Sequence, residues 1–314
     1  MLDERILNYP KVSIIILNWN RKEDTIECIE SLKNITCSNY EILLVDNGST
    51  DGSVECFKER YPEIELIENK TNLGYAEGNN VGIRRALGKG VDYVLLLNND
   101  TVVDPDFLRE LVMVAESDIK IGFVGPKIYY YNYEGRKDII NFAGGNLDMW
   151  KGKAWHIGIN EIDRGQYDRI KEVDYIEGSC LLARKEMLMK IGLLDQVYFA
   201  YWEDNDLCKR GYAAGYRSVY VPMARIWHKT SASNIGTVKL YYLTRNRIWF
   251  IRKNATYLQH IYFLIYFFGY QFWYISGVLL LYFRDLKKFN SFFNAVTDGI
   301  IMKSTILIFT RPKN

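Results

Sequence analysis

Acid and amide side chains stand at the ends of three strongly apolar runs of the sequence. They are Asn18 and Asn20 in "VSIIILNWN", Asp46 and Asn47 in "YEILLVDN", and Asn98, Asn99 and Asp100 in "VLLLNND". Carboxylates and amides that converge on one place can orient a polar ligand. Taken singly, each cluster is also what any strand needs where it enters a polar loop. Three such clusters together favour a binding crevice.

A second group of acids, Glu203, Asp204 and Asp206, directly follows a run of aromatic residues. Burial disfavours the charged form and raises the pKa of a carboxylate, which suits a general base. The same acids also suit the first turn of a helix, where they would satisfy free backbone N–H groups. His228 follows the strand pattern at 216–227. Its position fits a ligand or catalytic role as well as a purely structural one.

The elements that must position these side chains alternate between strand and helix patterns. Unbroken apolar runs predict strands buried on both faces of a parallel sheet. The strand runs are 11–20, 40–50 and 91–100, and the helical patterns are 22–34, 52–61 and 76–90. Ligands bind outside the carboxyl ends of the strands in such open α/β sheets. The three polar ends are therefore expected to share one crevice.

Composition and motifs exclude several other classes of protein. The chain has 314 residues, 48% hydrophobic and 25% charged, which is the balance of a globular protein with one large or two ordinary domains. No G-x-G-x-x-G follows a strand, and there is no P-loop motif. The five cysteines form no C-x-x-C pair, so neither a disulfide framework nor a zinc site is indicated. The first ten residues lack the apolar core of a secretory signal, which predicts a cytosolic catalytic part.

The C-terminal part is basic and aromatic. Residues 231–314 contain eleven lysines and arginines against two aspartates, a charge that attracts nucleic acid or an anionic membrane surface. The uncharged stretch 261–283 favours the membrane, since 23 helical residues reach about 34 Å and a bilayer core is about 30 Å thick. Its tyrosines, tryptophans and Gln271 suit an interfacial helix pair, broken near Gly269 or at Ser276-Gly277, as well as a full span.

The chain resembles family 2 of the glycosyltransferases, with the GT-A fold, and is similar to its rhamnosyltransferase-like and galactofuranosyltransferase-like members. The motifs that carry the resemblance are "VSIIILNWN", "LLVDNGSTDGS", "NLGYAEGNNVGI", "LLLNNDT", "GSCLLARKE", "WEDNDLC" and "IWH". It implies an α/β fold with a central, mostly parallel sheet. The expected catalytic domain is 1–235, with a nucleotide-sugar half at 11–105 and an acceptor half at 106–235. A helical, membrane-associated region is expected at 236–314.

The resemblance also implies roles for individual residues. Asp46 matches the carboxylate that recognises the base of the donor nucleotide, and the turn at Asn18 and Asn20 closes the same pocket. Asp100 matches the last acid of the D-x-D motif that holds Mg²⁺ or Mn²⁺ against the diphosphate. His228 matches a histidine that reaches the metal in some relatives. The further donor-binding residues expected from the motifs are Asn72, Gly74, Asn98 and Asn99.

Asp204, with Glu203 beside it in "WED", matches the catalytic base of the family. Arg245 and Arg247 fall in a "YYLTRNR" segment like one that follows the catalytic domain of relatives, where they could reach a phosphate of donor or acceptor, although a solvated basic helix face is the alternative. Asn98 and Asn99 depart from the pattern, because many relatives have acids there. An amide is a weaker ligand for a hard cation, so the metal site is expected to be completed by His228 and the donor diphosphate.

The leading expectation is an inverting, metal-dependent glycosyltransferase at the cytoplasmic face of the cell membrane. Its partners would be a nucleotide-diphospho-sugar and a glycan or polyprenyl-linked acceptor, with the membrane contacted through 261–283 and no nucleic acid bound. The alternatives are a sugar nucleotidyltransferase and a catalytically degenerate, membrane-bound glycan-binding module. The segment 141–172 is expected to be a variable acceptor-side loop, in which Trp150, Trp155 and His156 line a sugar subsite or pack in the core.

Overall fold

The computed structural model describes residues 9–229 and 236–302, which fold around a ten-stranded sheet and a separate two-stranded hairpin. The strands are β1 (Val12–Asn18), β2 (Tyr40–Asp46), β3 (Glu65–Glu68), β4 (Tyr93–Asn98), β5 (Thr101–Val103), β6 (Ile121–Tyr130), β7 (Ile140–Phe142), β8 (Gly145–Asp148), β9 (Lys153–His156), β10 (Lys171–Val173), β11 (Cys180–Arg184) and β12 (Arg217–His228).

Nine helices accompany these strands in the part of the chain that the structure describes. They are α1 (Lys22–Leu32), α2 (Ser53–Arg60), α3 (Gly74–Gly88), α4 (Phe107–Ser117), α5 (Lys185–Ile191), α6 (Glu203–Ala213), α7 (Thr237–Asn254), α8 (Tyr257–Tyr282) and α9 (Leu286–Ile301). The alternation of strand and helix predicted for the first hundred residues is confirmed, as is the mixed α/β class.

The main sheet has the strand order β10-β12-β6-β11-β4-β1-β2-β3. Strands β4, β1, β2 and β3 are parallel, whereas β11 runs antiparallel between β4 and β6. Asn18 pairs with Asp46, and Leu17 pairs with Asn98. The polar ends of three parallel strands therefore lie side by side, as their sequence predicted.

Helix α3 packs closely on the parallel strands, and this explains the glycines of "NLGYAEGNNVG". A Cβ atom on Gly78 would lie 2.8 Å from Leu17 Cδ1, and one on Gly82 would lie 2.6 Å from Ile15 Cγ2. Both distances are too short for carbon atoms in van der Waals contact. These two glycines let a helix approach β1 closely and are not part of a phosphate-binding loop.

The segment 141–172, expected as a variable acceptor-side loop, contains short strands that its sequence did not predict. It contributes most of β7 and β10 and all of β8 and β9. Three or four residues are too short to show a strand period in sequence. They form strands because established elements offer partners: β7 pairs with β6, β10 pairs with β12, and β8 and β9 pair with each other.

The C-terminal helices pack against the catalytic part of the chain. Tyr198 and Trp202 share a hydrophobic cluster with Trp249, Phe267 and Phe292 of α7, α8 and α9. The expected break near Gly269 or Ser276-Gly277 is not observed, since α8 is continuous and accommodates π-helical turns at Phe267–Gln271 and Val278–Tyr282. Among the described helices, α8 alone is long and apolar enough to cross a bilayer. The predicted domain boundary after residue 235 borders the undescribed residues 230–235 and stays a prediction.

Candidate active site

The turn that follows β2 is built around Asp46, which is almost fully buried. Its Oδ1 accepts hydrogen bonds from the backbone N–H groups of Gly48 and Ser49 at 3.1 and 2.8 Å. Its Oδ2 accepts one from Asn18 Nδ2 at 2.8 Å. Asn20 has a left-handed backbone (φ 53°) and its Oδ1 accepts a hydrogen bond from Thr50 N. Asp46 thus joins the ends of β1 and β2, and its contact with a nucleotide base stays a prediction.

Asn47, the next residue, links this turn to the start of α3. Its Nδ2 donates to Asn72 Oδ1 and to the carbonyl of Gly74 at 3.0 and 3.1 Å, and its Oδ1 accepts from Leu73 N. Asn72 and Gly74 are therefore held at the crevice by Asn47. The sequence placed Asn47 in one of the three polar clusters expected at the crevice but gave it no individual role.

Asp100 and His228 form the polar corner at the end of β4. His228 Nε2 lies 3.0 Å from Asp100 Oδ1 and 3.4 Å from Asn98 Nδ2. They meet because β12 pairs with β5, which places His228 opposite Thr101. Asn99 turns the other way, and its Nδ2 donates to Thr25 Oγ1 at 2.8 Å. Asn98 thus lies with the acid and the histidine, whereas Asn99 belongs to the end of β1.

The geometry of this corner fits a divalent cation that is shared with a ligand. Two neighbouring ligands of an octahedral Mg²⁺ or Mn²⁺ at about 2.1 Å lie about 3 Å apart, and the Asp100–His228 separation is 3.0 Å. His228 Nδ1 is buried and has no hydrogen-bond partner among the described residues. The described residues contain no group of three His, Cys, Asp or Glu side chains able to hold a metal. One acid and one histidine therefore need further oxygen ligands from elsewhere.

The protonation of the pair follows from its surroundings. Burial acts to raise the pKa of Asp100, but His228 beside it outweighs this effect and holds that pKa below its usual value. For His228, burial acts to lower the pKa, and Asp100 raises it above the usual value. Without a cation, the two groups stabilise each other as an ion pair in the low-dielectric crevice.

A cavity of about 470 Å³ opens next to this corner. Its polar lining residues are Asn98, His156, Glu177, Ser179, Glu203, Asp204, Asn205 and Lys239. The buried atoms Glu177 Oε2, Ser179 Oγ and Glu203 Oε2 have no hydrogen-bond partner in the described part of the chain. Buried polar atoms are normally paired. Unpaired polar atoms around one cavity indicate that a polar ligand bound there would supply their missing hydrogen bonds.

Three neighbouring acids have three different environments. Asp204 is half-buried, its Oδ2 accepts from Gly178 N at 2.9 Å and its Oδ1 from Asn205 N at 2.7 Å. Burial raises the pKa of Asp204. Burial raises the pKa of Glu203 well above its usual value, and Asp204 beside it adds to this shift. Asp206 is fully buried and bonds Arg210 within α6 and Lys253 of α7. Asp204 is thus the acid best suited to act as a base.

Comparison with known proteins identifies the family of this chain. The model of the glycosyl transferase family 2 matches residues 13–192, more than half of the chain. This protein belongs to glycosyl transferase family 2. It is 30% identical over 222 residues to the N-acetylglucosaminyl-diphospho-decaprenol L-rhamnosyltransferase of Mycobacterium tuberculosis, in a match that covers 65% of this chain and 71% of the relative.

The fold is also that of solved glycosyltransferases with the GT-A fold. GalNAc-T7 with UDP, GalNAc and Mn²⁺ superposes with a TM-score of 0.66 at 17% identity, over 95% of this chain and 58% of that one. The mannosyltransferase PcManGT from Pyrobaculum calidifontis, in complex with GDP-Man and Mn²⁺, gives 0.58 at 15% identity, over 94% of this chain and 76% of that one. The expectation of a GT-A glycosyltransferase that uses a nucleotide sugar is confirmed.

In this glycosyltransferase, the turn directly before Glu203 and Asp204 has an unusual backbone geometry. Phe199, Tyr201 and Trp202 all have positive φ angles, of 64°, 69° and 75°. Bulky residues adopt this left-handed conformation only when their surroundings enforce it, at a cost of about 1–3 kcal/mol each. Glu203 follows directly as the first residue of α6. The backbone path of this turn therefore decides where Asp204 points.

Asn246 of α7 holds this turn. Its Nδ2 lies 2.9, 2.8 and 2.8 Å from the carbonyl oxygens of Tyr198, Ala200 and Tyr201. Arg245 beside it is almost fully buried, and its Nη2 donates to Tyr198 O at 3.1 Å. These contacts place Arg245 against the turn, and its contact with a phosphate of donor or acceptor stays a prediction. Sequence reasoning missed Asn246 altogether.

The remaining predicted residues divide between this cavity and its surroundings. His156 lines the cavity, and its Nδ1 lies 3.1 Å from the carbonyl of Asn141. Trp150 and Trp155 are 47% and 48% exposed and do not line it. Arg247 lines a second cavity on the other side of Trp202. Neither Arg245 nor Arg247 lines the catalytic cavity, and their contact with a phosphate of donor or acceptor stays a prediction.

Proposed function

We propose that this glycosyltransferase inverts the configuration of the sugar that it transfers and uses Asp204 as its single catalytic base. The observation that carries the proposal is the cavity that Asp204 and Asn98 both line, with Asp100 and His228 next to Asn98. Glu203 and Asp204 of α6, both with raised pKa values, line the cavity, and Asn98 lines it at the end of β4. Asp204 is the more accessible of the two acids, whereas Glu203 is almost fully buried. This arrangement suits an acceptor hydroxyl placed between a base and a donor sugar.

The proposed reaction is a single displacement. The oxygen of the acceptor hydroxyl forms a bond to the anomeric carbon, the bond from that carbon to the nucleotide diphosphate breaks on the opposite face, and the hydroxyl proton passes to Asp204. Attack from the face opposite the leaving group inverts the anomeric carbon. Asp100, His228 and the Asn98 amide would hold Mg²⁺ or Mn²⁺, which when bound neutralises charge on the departing diphosphate.

In this proposal, the two halves of the catalytic domain bind different substrates. Residues 11–105 would bind the nucleotide sugar with Asn18, Asn20, Asp46, Asn72 and Gly74, and residues 106–235 would bind the acceptor. The extended turn at Asp46 and the glycine-flanked start of α3 support the first assignment, because both lie at the carboxyl ends of parallel strands.

The acceptor is proposed to be lipid-linked, with the enzyme attached to the cytoplasmic face of the membrane. The rhamnosyltransferase relative is named for a diphospho-decaprenol substrate. Tyr262, Trp273, Leu281 and Tyr282 of α8 are exposed, whereas Phe263 and Phe267 on its other face are buried against the protein. A helix packed along one side and apolar on the other suits the membrane interface better than a full span. Residues 261–283 would make this contact.

The test identifies the donor, the anomeric configuration of the product and the role of Asp204. Purified full-length enzyme is screened with nucleotide sugars and Mn²⁺ for thermal stabilisation, since a bound donor raises the melting temperature. The stabilising donor is then offered with lipid-linked acceptors, and the anomeric configuration of the product is read by NMR. Asp204→Asn is expected to lower kcat by about 10²–10⁴-fold while donor stabilisation persists. A retained configuration, or an Asp204→Asn enzyme with normal kcat, would refute the mechanism.

A further inference from the structure

A second cavity, of about 430 Å³, lies on the other side of Trp202 from the catalytic cavity. It is enclosed by the β8–β9 hairpin and the C-terminal helices α7, α8 and α9. Ala154, Trp202 and Leu243 line both cavities. The two spaces therefore share a wall, and a molecule seated in the second cavity needs to pass only these side chains to reach Asp204.

The polar end of this cavity is formed by Arg247. Its Nη2 donates to the carbonyl of Lys151 and to Gln271 Oε1, the latter at 2.8 Å. Its Nε is buried with no acceptor, and no carboxylate lies within ion-pair distance among residues 9–229 and 236–302. The rings of Phe263 and Phe267 lie 5.4 and 5.6 Å from the guanidinium. Arg247 is thus a largely buried cation with no direct ion pair to a described residue, and the charge of Asp148 acts on it only from beyond ion-pair distance.

A buried cation without an anionic partner is costly. The same loss of hydration acts on the pKa of Arg247, which burial lowers to about 10. Its aromatic neighbours and two neutral acceptors offset only part of the lost hydration. Arginine at such a position fits an incoming carboxylate or phosphate, whose oxygens match the planar guanidinium. The exposed Lys153 lines the same cavity and adds a second positive charge.

The other end of the cavity is apolar. Phe267 and Ile275 of α8 and Phe292 of α9 line it, and the outer face of α8 carries the exposed apolar residues that the proposed membrane contact uses. A ligand that fits both ends has an anionic head and an apolar chain. The donor diphosphate does not meet this description, and its edge at Asp100 lies beyond the catalytic cavity.

We propose that this second cavity binds the diphosphate and the first isoprene units of a polyprenyl-diphosphate-linked acceptor. Arg247 and Lys153 bind the diphosphate, while Phe267, Ile275 and Phe292 contact the prenyl chain as it leaves toward the membrane. The sugar attached to the diphosphate then extends past Trp202 into the catalytic cavity. This assignment rests on the proposed lipid-linked acceptor and names the residues that would select it.

The test measures binding of farnesyl diphosphate, a short prenyl diphosphate, to the full chain in detergent micelles. Inorganic pyrophosphate and farnesol are the two partial ligands. Farnesyl diphosphate is expected to bind at least about tenfold more tightly than either one, because only it fills both ends. Arg247→Met is expected to weaken it at least about tenfold. Arg252→Met is the matched control, since Arg252 is exposed on the same helix.

The outcomes separate this inference from the proposed function. Asp204→Asn is expected to lose transfer and to keep farnesyl diphosphate binding. If Arg247→Met does not fold, Ile275→Trp decides, because it fills the apolar end and is expected to weaken farnesyl diphosphate but not pyrophosphate. Wild-type affinity in both variants would overturn the inference. The inference would also be overturned if pyrophosphate bound as tightly as farnesyl diphosphate, or if the nucleotide of the donor displaced farnesyl diphosphate.

Discussion

Replacing Asn246 tests whether the turn before α6 is held in place by α7. Asn246 is fully buried, and its amide group reaches three carbonyl oxygens with only two hydrogens. Leaving a buried hydrogen-bonding group without its partner costs about 1–3 kcal/mol. Asn246→Ala removes the two hydrogen bonds that the amide can donate and the one that its Oδ1 accepts from Arg245 Nε at 2.9 Å. Three lost hydrogen bonds give about 3–9 kcal/mol, and entry of water into the vacated space favours the lower half of that range.

This loss is comparable to the strain stored in the turn. Phe199, Tyr201 and Trp202 have left-handed backbones, which together cost about 3–9 kcal/mol. Without the Asn246 amide, the turn is expected to relax toward ordinary angles before the whole protein unfolds. Asp204 would then move relative to the acceptor hydroxyl, and a displacement of about 1 Å can cost about 10²-fold in rate.

The assay compares kcat, KM for the donor and thermal unfolding in Asn246→Ala and Asn246→Asp. The aspartate has the same shape, and one of its oxygens can still accept from Arg245 Nε. Its other oxygen cannot donate and would face the carbonyl groups of the turn, so kcat is expected to fall further than in the alanine variant. Asn254→Ala is the control on the same helix, because its amide bonds Asp206 Oδ1 instead of the turn. Unchanged kcat in both Asn246 variants, or an equal fall in the control, would refute the reasoning.

Three further predictions concern pH, packing and metal binding. The rate should fall with acid as Asp204 protonates, with an apparent pKa above the usual value for aspartate. Glu203→Gln should leave this limb of the pH profile in place, because the strongly raised pKa of Glu203 favours its neutral form, which glutamine mimics. A shift of the limb to lower pH would contradict this. Gly82→Ala should destabilise the protein, whereas Gly88→Ala on the same helix, with nothing within 4 Å, should stabilise it by up to about 1 kcal/mol in urea unfolding. Mn²⁺ should bind more tightly with donor nucleotide present, and calorimetry that gives equal affinities would exclude a site completed by the diphosphate.

The donor half of the fold could be predicted because its signals are local. Strands β1, β2 and β4 are unbroken apolar runs buried on both faces, and the strand pattern at 216–227 became β12. Strand β6 is just as buried but was not predicted, because its Gly125-Pro126 pair is typical of a turn. The strand continues through Pro126 because the register of its partner β12 shifts between Val221 and Arg225, so the missing N–H breaks no regular ladder.

The turn before α6 could not be predicted for a different reason. Its three aromatic residues adopt angles that their own sequence disfavours, and the contacts that enforce those angles come from Asn246, 45 residues or more away along the chain. In such cases a long-range hydrogen-bond network outweighs the conformational preferences of the local sequence. The sequence singled out Asp204 as a candidate base, which stays a prediction, but it carried no signal for the contacts that orient its side chain.

Helix α7 connects the two ends of the proposed acceptor site through consecutive residues. Asn246 holds the turn that carries Asp204, and Arg247 points into the cavity proposed for the lipid diphosphate. Neighbouring residues on a helix face about 100° apart, which lets one helical turn contact both structures. A helix that moves when the membrane or the lipid is absent would therefore misplace the base as well as the acceptor. Attachment of the C-terminal helices to the catalytic domain is thus expected to influence kcat and not only acceptor binding.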